Sequence, residues 1–220
     1  MKILVVSSSP HKEHSQTFLL TKEVLKGCLQ SKSDIHTTIL HLSDLSIQFC
    51  HHCQNCHKKI LDCPIEDDLG MIWAELLAAD GIIFASPNYI NQITASMKAL
   101  WDRSSHFIHC QRLLNKYVAG VVTSGSGRDK SVLEYISYYA NICGAQYSGG
   151  VSSSVPVKKD KIKVAFQLGN TLVSDIKGST IFPKQKKVTN EFKAHFKKVM
   201  LNRKEDWSEE YQYWQERGWL

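Results

Sequence analysis

Short apolar runs alternate along the chain with segments of helical periodicity. The apolar runs have the length of buried strands and occur at 2–7, 35–42, 81–86, 117–123 and 145–155. Between them, apolar residues recur at helical spacing over 17–29, 67–79, 94–110 and 131–143. This alternation predicts an α/β protein, with a five-stranded parallel sheet covered by helices on both faces.

The pattern changes beyond Pro156. Helical spacing over 159–177 and 187–202 is interrupted at Ile181-Phe182-Pro183. The end of the chain is aromatic and carries Trp207, Tyr211, Tyr213, Trp214 and Trp219. We therefore expect one α/β domain over residues 1–180 and a C-terminal helical, aromatic extension over 181–220.

Composition adds a modest positive charge. The 220 residues carry a formal net charge of +6, with a pI near 8.9. The basic residues are spread along the chain with a local bias over 184–204, which is typical of a solvated helix face, so a nucleic-acid partner is not expected. The same positive field favours anionic ligands.

The lengths of the apolar runs also indicate the cellular compartment of the protein. Ile3-Leu4-Val5-Val6 is too short for the core of a signal peptide, and no segment is long enough to span a bilayer. We therefore expect a cytoplasmic protein with no membrane partner. In a reducing compartment, clustered cysteines indicate metal or redox chemistry rather than disulfide bonds.

A compact cysteine cluster occupies residues 50–63, within a polar stretch. Its members are Cys50, Cys53, Cys56 and Cys63, the last followed by Pro64. The spacing is close to the iron–sulfur run C-x2-C-x2-C-x3-C-P, with additional residues before the last cysteine. Zinc also accepts four thiolates, usually from two separated pairs, and a loop without metal is the third interpretation. The residues favour an iron–sulfur cluster among these three.

Three polar loops follow predicted strands. The first, 7–17, is rich in hydroxyls and opens a helix; it has no glycine, which excludes the Rossmann and Walker fingerprints. Such a loop suits a phosphate, although an ordinary capped loop has the same composition. The second, 86–94, offers an aromatic side chain and amides to a planar heterocycle, and glycines in the third, 123–128, permit close approach of a ligand. All three leave strands at the edge where open α/β sheets bind ligands.

These features together resemble the flavodoxin-like NAD(P)H-dependent FMN reductases and, within them, the iron–sulfur flavoproteins. The resemblance runs from Met1 to about Val155. It rests on the first loop ending Ser15-Gln16-Thr17, the cysteine motif followed by Asp67-Asp68, and the segments 79–89, 97–103 and 123–125.

The resemblance implies a flavodoxin-like, doubly wound sheet with FMN at its edge. The phosphate would be held by Ser9, His11, Ser15, Gln16 and Thr17. The isoalloxazine would be lined by Pro87, Asn88, Tyr89 and Ile90, and its polar edge would be closed by Thr123, Ser124 and Gly125. The family often has Arg where this chain has His11, which is a weaker phosphate partner when neutral.

The remaining matched residues concern the metal and the helix after the second loop. The four clustered cysteines match the ligands of a [4Fe-4S] cluster. Lys98, Asp102 and Arg103 match as well, and we expect them at a helix surface or a subunit contact rather than in catalysis.

The resemblance implies an FMN-dependent oxidoreductase of homodimeric or homotetrameric form, with NAD(P)H as donor and a redox partner such as a ferredoxin. No side chain is assigned as a catalytic residue, because flavin chemistry requires binding and tuning from the protein. One alternative is a cluster-free NAD(P)H-dependent FMN or quinone reductase. Another is a zinc-stabilised module that senses redox state or binds nucleic acid. We expect the aromatic tail to reach a neighbouring subunit, the alternative being packing on its own domain.

Overall fold

The computed structural model describes residues 1–30 and 34–220. Its centre is a five-stranded parallel sheet with the strand order β2-β1-β3-β4-β5. The strands are β1 (Lys2–Ser7), β2 (His36–His41), β3 (Gly81–Pro87), β4 (Tyr117–Ser124) and β5 (Gln146–Ser154). The predicted five-stranded parallel sheet is confirmed, and every strand lies within about two residues of its predicted bounds.

Helices cover both faces of the sheet. They are α1 (Gln16–Gln30), α2 (Asn55–Lys58), α3 (Leu69–Ala78), α4 (Ala95–Asp102), α5 (Ser105–His109), α6 (Asp129–Ile142), α7 (Lys159–Gly178), α8 (Pro183–Asn202) and α9 (Ser208–Glu216). The helices α1 and α7 pack with alternate strand residues such as Val5 and Ile83. The helices α3, α4 and α6 pack with the opposite set, including Val6 and Phe84. Alternate residues of one strand therefore serve two separate cores, as a sheet buried on both faces requires.

The predicted helix over 94–110 is two helices, α4 and α5, separated at Arg103 and Ser104. The Ser104 hydroxyl donates to the carbonyl of Leu100 (2.7 Å) and accepts from the indole N–H of Trp73 (3.1 Å). A serine that bonds back to the preceding turn competes with the helical backbone, which accounts for a bend at this point.

The C-terminal extension packs against its own chain. Trp214 is completely buried and forms a small apolar cluster with Cys110 and Met200, flanked by Trp207 and Trp219. The helix predicted from residue 187 begins at Pro183, since proline suits the first turn of a helix. Trp214 and Met200 thus pack on their own chain, and a contact of the tail with a neighbouring subunit stays a prediction.

Within the described residues, we find no helix with the length and apolar character needed to cross a membrane.

Candidate functional site

The three polar loops identified in the sequence leave one edge of the sheet side by side. Ser7, at the end of β1, is paired with Ala85 of β3. Pro87, at the end of β3, is paired with Thr123 of β4. The strand order changes direction between β1 and β3, so this edge carries the topological switch point where ligands bind in open α/β sheets.

The first loop combines a buried serine-rich entry with the start of α1. Ser9 is 3% exposed, whereas His11 is exposed. The Ser15 hydroxyl accepts from the backbone N–H of Phe18 (2.9 Å) and donates to the carbonyl of Lys12 (2.7 Å). Ser15 therefore caps α1, and its hydroxyl proton is already in use. What the loop offers an anion is mainly the free N–H groups of the first turn of α1.

Direct hydrogen bonds tie the three loops together. The hydroxyls of Thr17 and Thr123 are 2.6 Å apart and buried. The backbone N–H of Asn88 donates to the Thr123 carbonyl (2.7 Å), and its side-chain amide donates to the Gly127 carbonyl (2.9 Å). The amide oxygen of Asn88 is buried without a partner, which leaves one acceptor at this edge for a ligand donor.

The second loop ends in a tight two-residue turn. Tyr89 and Gln92 exchange two backbone hydrogen bonds (3.0 and 3.1 Å), and Ile90 and Asn91 have φ values of 52° and 60°. Ile90 is 97% exposed and Tyr89 is 50% exposed. Left-handed backbone is unfavourable for a β-branched residue, so the turn holds an apolar tip in water despite a local energetic cost.

Three residues assigned to the ligand edge have structural partners or open surroundings. The side-chain oxygen of Gln16 accepts from the backbone N–H of Val157 (2.9 Å), which fixes the loop after β5. Gly125 is exposed and would meet no neighbouring atom if it carried a Cβ. Ser124 accepts from the backbone N–H of Gly127 (3.0 Å) and shapes the third loop.

The four clustered cysteines converge on one concavity. Cys50, Cys53, Cys56 and Cys63 line it together with Arg103 and Ser105. All four thiols are free; Cys50 and Cys53 are exposed, and Cys56 and Cys63 are half-buried. The chain folds round this concavity through left-handed residues at His52 and Gln54, followed by α2. The short sequence spacing is thus converted into a shared site for the four sulfurs.

The thiol of Cys56 is half-buried at this site. Burial raises its pKa to about 11, although the Ser105 hydroxyl, 3.7 Å from the sulfur, acts in the opposite direction. A thiol with this pKa is protonated at neutral pH. Metal binding at Cys56 would therefore displace a proton.

Arg103 is buried beside the cysteine loop, so the expectation of a helix-surface or subunit-contact role is wrong for this residue. It pairs with the Asp67 carboxylate, and about 1% of each side chain is exposed. Its guanidinium also donates to the sulfur of Cys63 (3.2 Å). Arg103 follows Met97 and Leu100 at three-residue steps, a spacing that continues the buried stripe of α4 and could have revealed its position.

Asp67 closes the base of the same loop. Its carboxylate accepts from the backbone N–H groups of Gln48 (2.9 Å) and Leu69 (3.1 Å), as well as from Arg103. Burial acts to raise the pKa of Asp67, but these hydrogen bonds outweigh it and the pKa is lowered. Asp67, the first residue of the helical pattern predicted over 67–79, is therefore held in an ion pair that the sequence did not reveal.

A second group missed in the sequence comes from the far end of the chain. Glu210 is fully buried, and its carboxylate lies 2.8 Å from Nδ1 of His57 and 3.1 Å from Nδ1 of His109. His57 directly follows Cys56. No spacing signal connects these residues, because 153 positions separate His57 from Glu210.

The fold and the ligand edge define a flavodoxin-like α/β protein. The model of the NADPH-dependent FMN reductase family matches residues 1–160. The chain belongs to this family.

Curated relatives include iron–sulfur flavoproteins of archaea. One from Methanocaldococcus jannaschii is 36% identical over 129 residues, covering 59% of this chain and 64% of that protein. One from Archaeoglobus fulgidus is 34% identical over 142 residues, covering 63% of this chain and 68% of that protein. The chain thus spans about two thirds of the length of these relatives.

Solved structures support the fold. An apo NADH:FMN oxidoreductase superposes with a TM-score of 0.59 at 22% identity, covering 84% of this chain and 92% of that one. RosB, solved with a flavin-phosphate intermediate, superposes with a TM-score of 0.62 at 13% identity, covering 87% and 85% of the two chains. At these identities the likeness concerns the fold alone.

Proposed function

We propose that this protein is an FMN-dependent oxidoreductase that carries a [4Fe-4S] cluster in its cysteine loop. The observation behind the proposal is the coexistence of two sites. One is the polar sheet edge of an FMN reductase fold, and the other is a concavity lined by four free thiols. When bound, FMN supplies hydride and one-electron chemistry, and an iron–sulfur cluster supplies one-electron transfer.

The sheet edge fits a flavin mononucleotide. The first turn of α1 offers free backbone N–H groups to a phosphate, beside the buried Ser9. The unpartnered oxygen of Asn88 offers an acceptor to a ring N–H, and Tyr89 offers an exposed aromatic face. The loop lacks the glycine fingerprint for a pyrophosphate, which favours FMN over a dinucleotide.

The cysteine concavity fits a polynuclear cluster better than a single ion. Zinc usually takes four thiolates from two separated pairs. Cys50, Cys53, Cys56 and Cys63 instead follow a spacing close to the iron–sulfur run, and all four line one concavity. This arrangement favours a cluster over zinc.

Arg103 makes the site suitable for electron transfer. Its N–H···S contact with Cys63 stabilises negative charge on that sulfur, and hydrogen bonds of this kind tune cluster potentials. The helix α4, which ends one residue before Arg103, begins one residue after Thr94, the last residue of the second ligand loop. Eight helical residues span about 12 Å, so one short helix connects the two sites.

Anaerobic purification tests the proposal as a whole. We expect flavin absorption with extractable FMN at about one per chain, together with iron and sulfide in equal amounts. Colourless protein with stoichiometric zinc would replace the proposal by the zinc-stabilised module. Flavin reduced by NAD(P)H in a protein that takes up no iron after reconstitution would replace it by the cluster-free reductase.

The cysteine assignment is tested by Cys53→Ala. We expect loss of cluster absorption with FMN still bound, because the flavin loops lie outside the cysteine loop. The matched control is Cys28→Ala, which removes a buried thiol of α1 that packs on the other face of the sheet. Full iron content in the Cys53 variant would contradict the assignment.

The phosphate loop is tested by Thr17→Val, which keeps the shape and removes the hydroxyl. If Thr17 binds the phosphate, losing one hydrogen bond to a charged group weakens FMN binding by roughly 1.5–3 kcal/mol, or about 10- to 150-fold in Kd. Thr171→Val, at an exposed position on α7, is the control. Equal FMN dissociation constants for the two variants, measured by fluorescence titration, would remove Thr17 from the site.

A further inference from the structure

The segment Trp207–Glu216, here called the C-terminal segment, contacts the cysteine loop between Cys53 and Cys63. The indole N–H of Trp207 donates to the side-chain oxygen of Gln54 (3.3 Å). The hydroxyl of Ser208 donates to the carbonyl of Lys58 (3.3 Å). These contacts lie on either side of Cys56, so the C-terminal segment holds the part of the loop that carries this cysteine.

Two carboxylates reinforce this contact. Glu209 accepts from the backbone N–H of Ile60 (2.7 Å). Glu210 bonds to both His57 and His109, while the Trp207 ring lies 4.4 and 4.9 Å from the two imidazole centroids. These contacts hold the Ile60 backbone, the two histidine side chains and the Trp207 ring together around α2.

The carboxylate of Glu210 is charged although it is fully buried. Burial acts to raise its pKa, but hydrogen bonds from His109 and His57 outweigh it and the pKa is lowered. Glu210 contacts His57, the residue that directly follows Cys56. The segment thus places a fixed anion beside one of the four cysteines.

The geometry of the two histidines suits hydrogen bonding rather than chelation. Their rings are stacked, with centroids 4.9 Å apart and an interplanar angle of 24°. Each Nδ1 faces a different oxygen of Glu210. A single cation needs lone pairs that converge on one point, which nearly parallel rings do not provide. The cluster of His57, His109 and Glu210 therefore links α2, α5 and α9 through hydrogen bonds.

We propose that Glu210 is a positioning residue for the metal centre: through His57 it holds Cys56 in place, and its charge makes the centre harder to reduce. The proposal rests on the proposed function, since it concerns a cluster in the cysteine loop. The C-terminal segment lies beyond residues 1–160, the part of the chain that the family model matches.

The test is Glu210→Gln in the full-length, FMN-loaded protein, with Glu216→Gln as control. Gln has the same shape without the charge, and Glu216 is an exposed residue of the same helix. We expect iron to be lost to a ferrous chelator at least fivefold faster from the Glu210 variant, and its cluster midpoint potential to be more positive. FMN affinity should stay within twofold of the wild type.

A second readout does not require a cluster. In metal-free protein, we expect iodoacetamide to alkylate Cys56 at least fivefold faster in the Glu210 variant, as measured by peptide mass spectrometry. If the wild type takes up no iron, the proposed function fails, while faster alkylation would still support the positioning of Cys56. Unchanged iron release, potential and alkylation in a folded Glu210 variant would overturn the proposal.

Trp207→Phe covers the case in which Glu210→Gln does not fold. It removes the hydrogen bond to Gln54 and keeps a ring against both histidines. We expect a two- to fourfold rise in both iron release and Cys56 alkylation. Rates equal to those of the wild type in this variant would count against a positioning role for the segment.

Discussion

Arg103 and Asp67 place opposite charges where water is almost excluded. Each side chain is about 1% exposed. Arg103 also donates to the carbonyls of Gln48 (3.2 Å) and Ile65 (3.4 Å), so both of its terminal nitrogens have partners. A buried pair of this kind adds little net stability, but removing one partner leaves the other charge uncompensated.

Arg103→Met should therefore destabilise the metal-free protein by about 3–5 kcal/mol at pH 7. Urea denaturation measures this loss. Lys130→Met is the control, because Lys130 and Glu134 form an exposed pair and such pairs contribute about 0–1 kcal/mol. Similar losses in the two variants would mean that the buried pair has no special role.

The same pair predicts a pH dependence. The pKa of Asp67 is lowered in the folded protein. The stability that its charge contributes is therefore complete above its unfolded pKa of about 3.9 and is lost as the pH falls through its folded pKa. The stability difference between wild type and Asp67→Asn should then be constant from pH 5 to 7 and shrink below about pH 4. A difference that persists undiminished at pH 2.5 would contradict the charged pair.

At the scale of elements, α1 and α7 approach each other at two glycines. A Cβ on Gly169 would lie 1.9 Å from the carbonyl oxygen of Val24, and a Cβ on Gly27 would lie 1.9 Å from that of Phe166. These carbonyl oxygens belong to helix backbone and cannot move aside as the end of a flexible side chain can. The two glycines thus set the distance between the helices that cover this face of the sheet.

Gly169→Ala should cost about 3 kcal/mol, since overpacking at a backbone contact forces the helices apart. Gly70→Ala is the matched control: a Cβ there meets nothing within 4 Å, and alanine in a helix should stabilise by about 0.5–1 kcal/mol. Thermal denaturation of the two variants should give shifts of opposite sign. A neutral Gly169 variant would show that the helices can separate freely.

Elements with a strong local pattern could be predicted from the sequence, whereas their long-range partners could not. The run Ile3-Leu4-Val5-Val6 predicts β1 because a strand buried on both faces is continuously apolar. The break between α4 and α5 lies at Ser104, whose hydroxyl accepts from the indole N–H of Trp73, a long-range partner that local periodicity does not contain. The strand order depends on the packing of helices against the sheet, which is equally invisible to a local pattern.

The candidate site shows the same division. The cysteine loop and the strand-exit loops were recognisable, because their chemistry is concentrated in short segments. Arg103 was placed at the surface although it continues the buried stripe of α4, because the partner that compensates its charge, Asp67, is 36 positions away in the sequence. Glu210 could not be connected to Cys56 by any rule of spacing, because only the folded chain brings them together.

At the scale of the molecule, we propose that residues 181–220 are an integral extension of the domain formed by 1–180. Gln185 accepts from the side chain of Asn141 (2.9 Å) and from the backbone of Tyr147 (2.6 Å), and so supports the start of β5.

Three of the five tryptophans lie in this extension. Urea unfolding followed by tryptophan fluorescence and by circular dichroism should therefore give coincident transitions. An earlier fluorescence transition would indicate a separate unit.

The oligomeric state remains a prediction from the family resemblance. We expect sedimentation to give a dimer or tetramer of the 25.0 kDa chain. Because Trp214 is buried within its own chain, the tail need not be the interface. A single monomeric species at micromolar concentration would contradict the expectation.

The long sequence separation between the cysteine loop and Glu210 has a consequence for biosynthesis. Ribosomes add about 5–20 residues per second, so the 153 positions between His57 and Glu210 take roughly 8–30 s to make. During that interval the four thiols have been synthesised while their C-terminal support has not. A nascent chain therefore exposes its cysteine loop before the C-terminal segment can contact it, so stable loading of the proposed cluster is expected only after Glu210 has been synthesised.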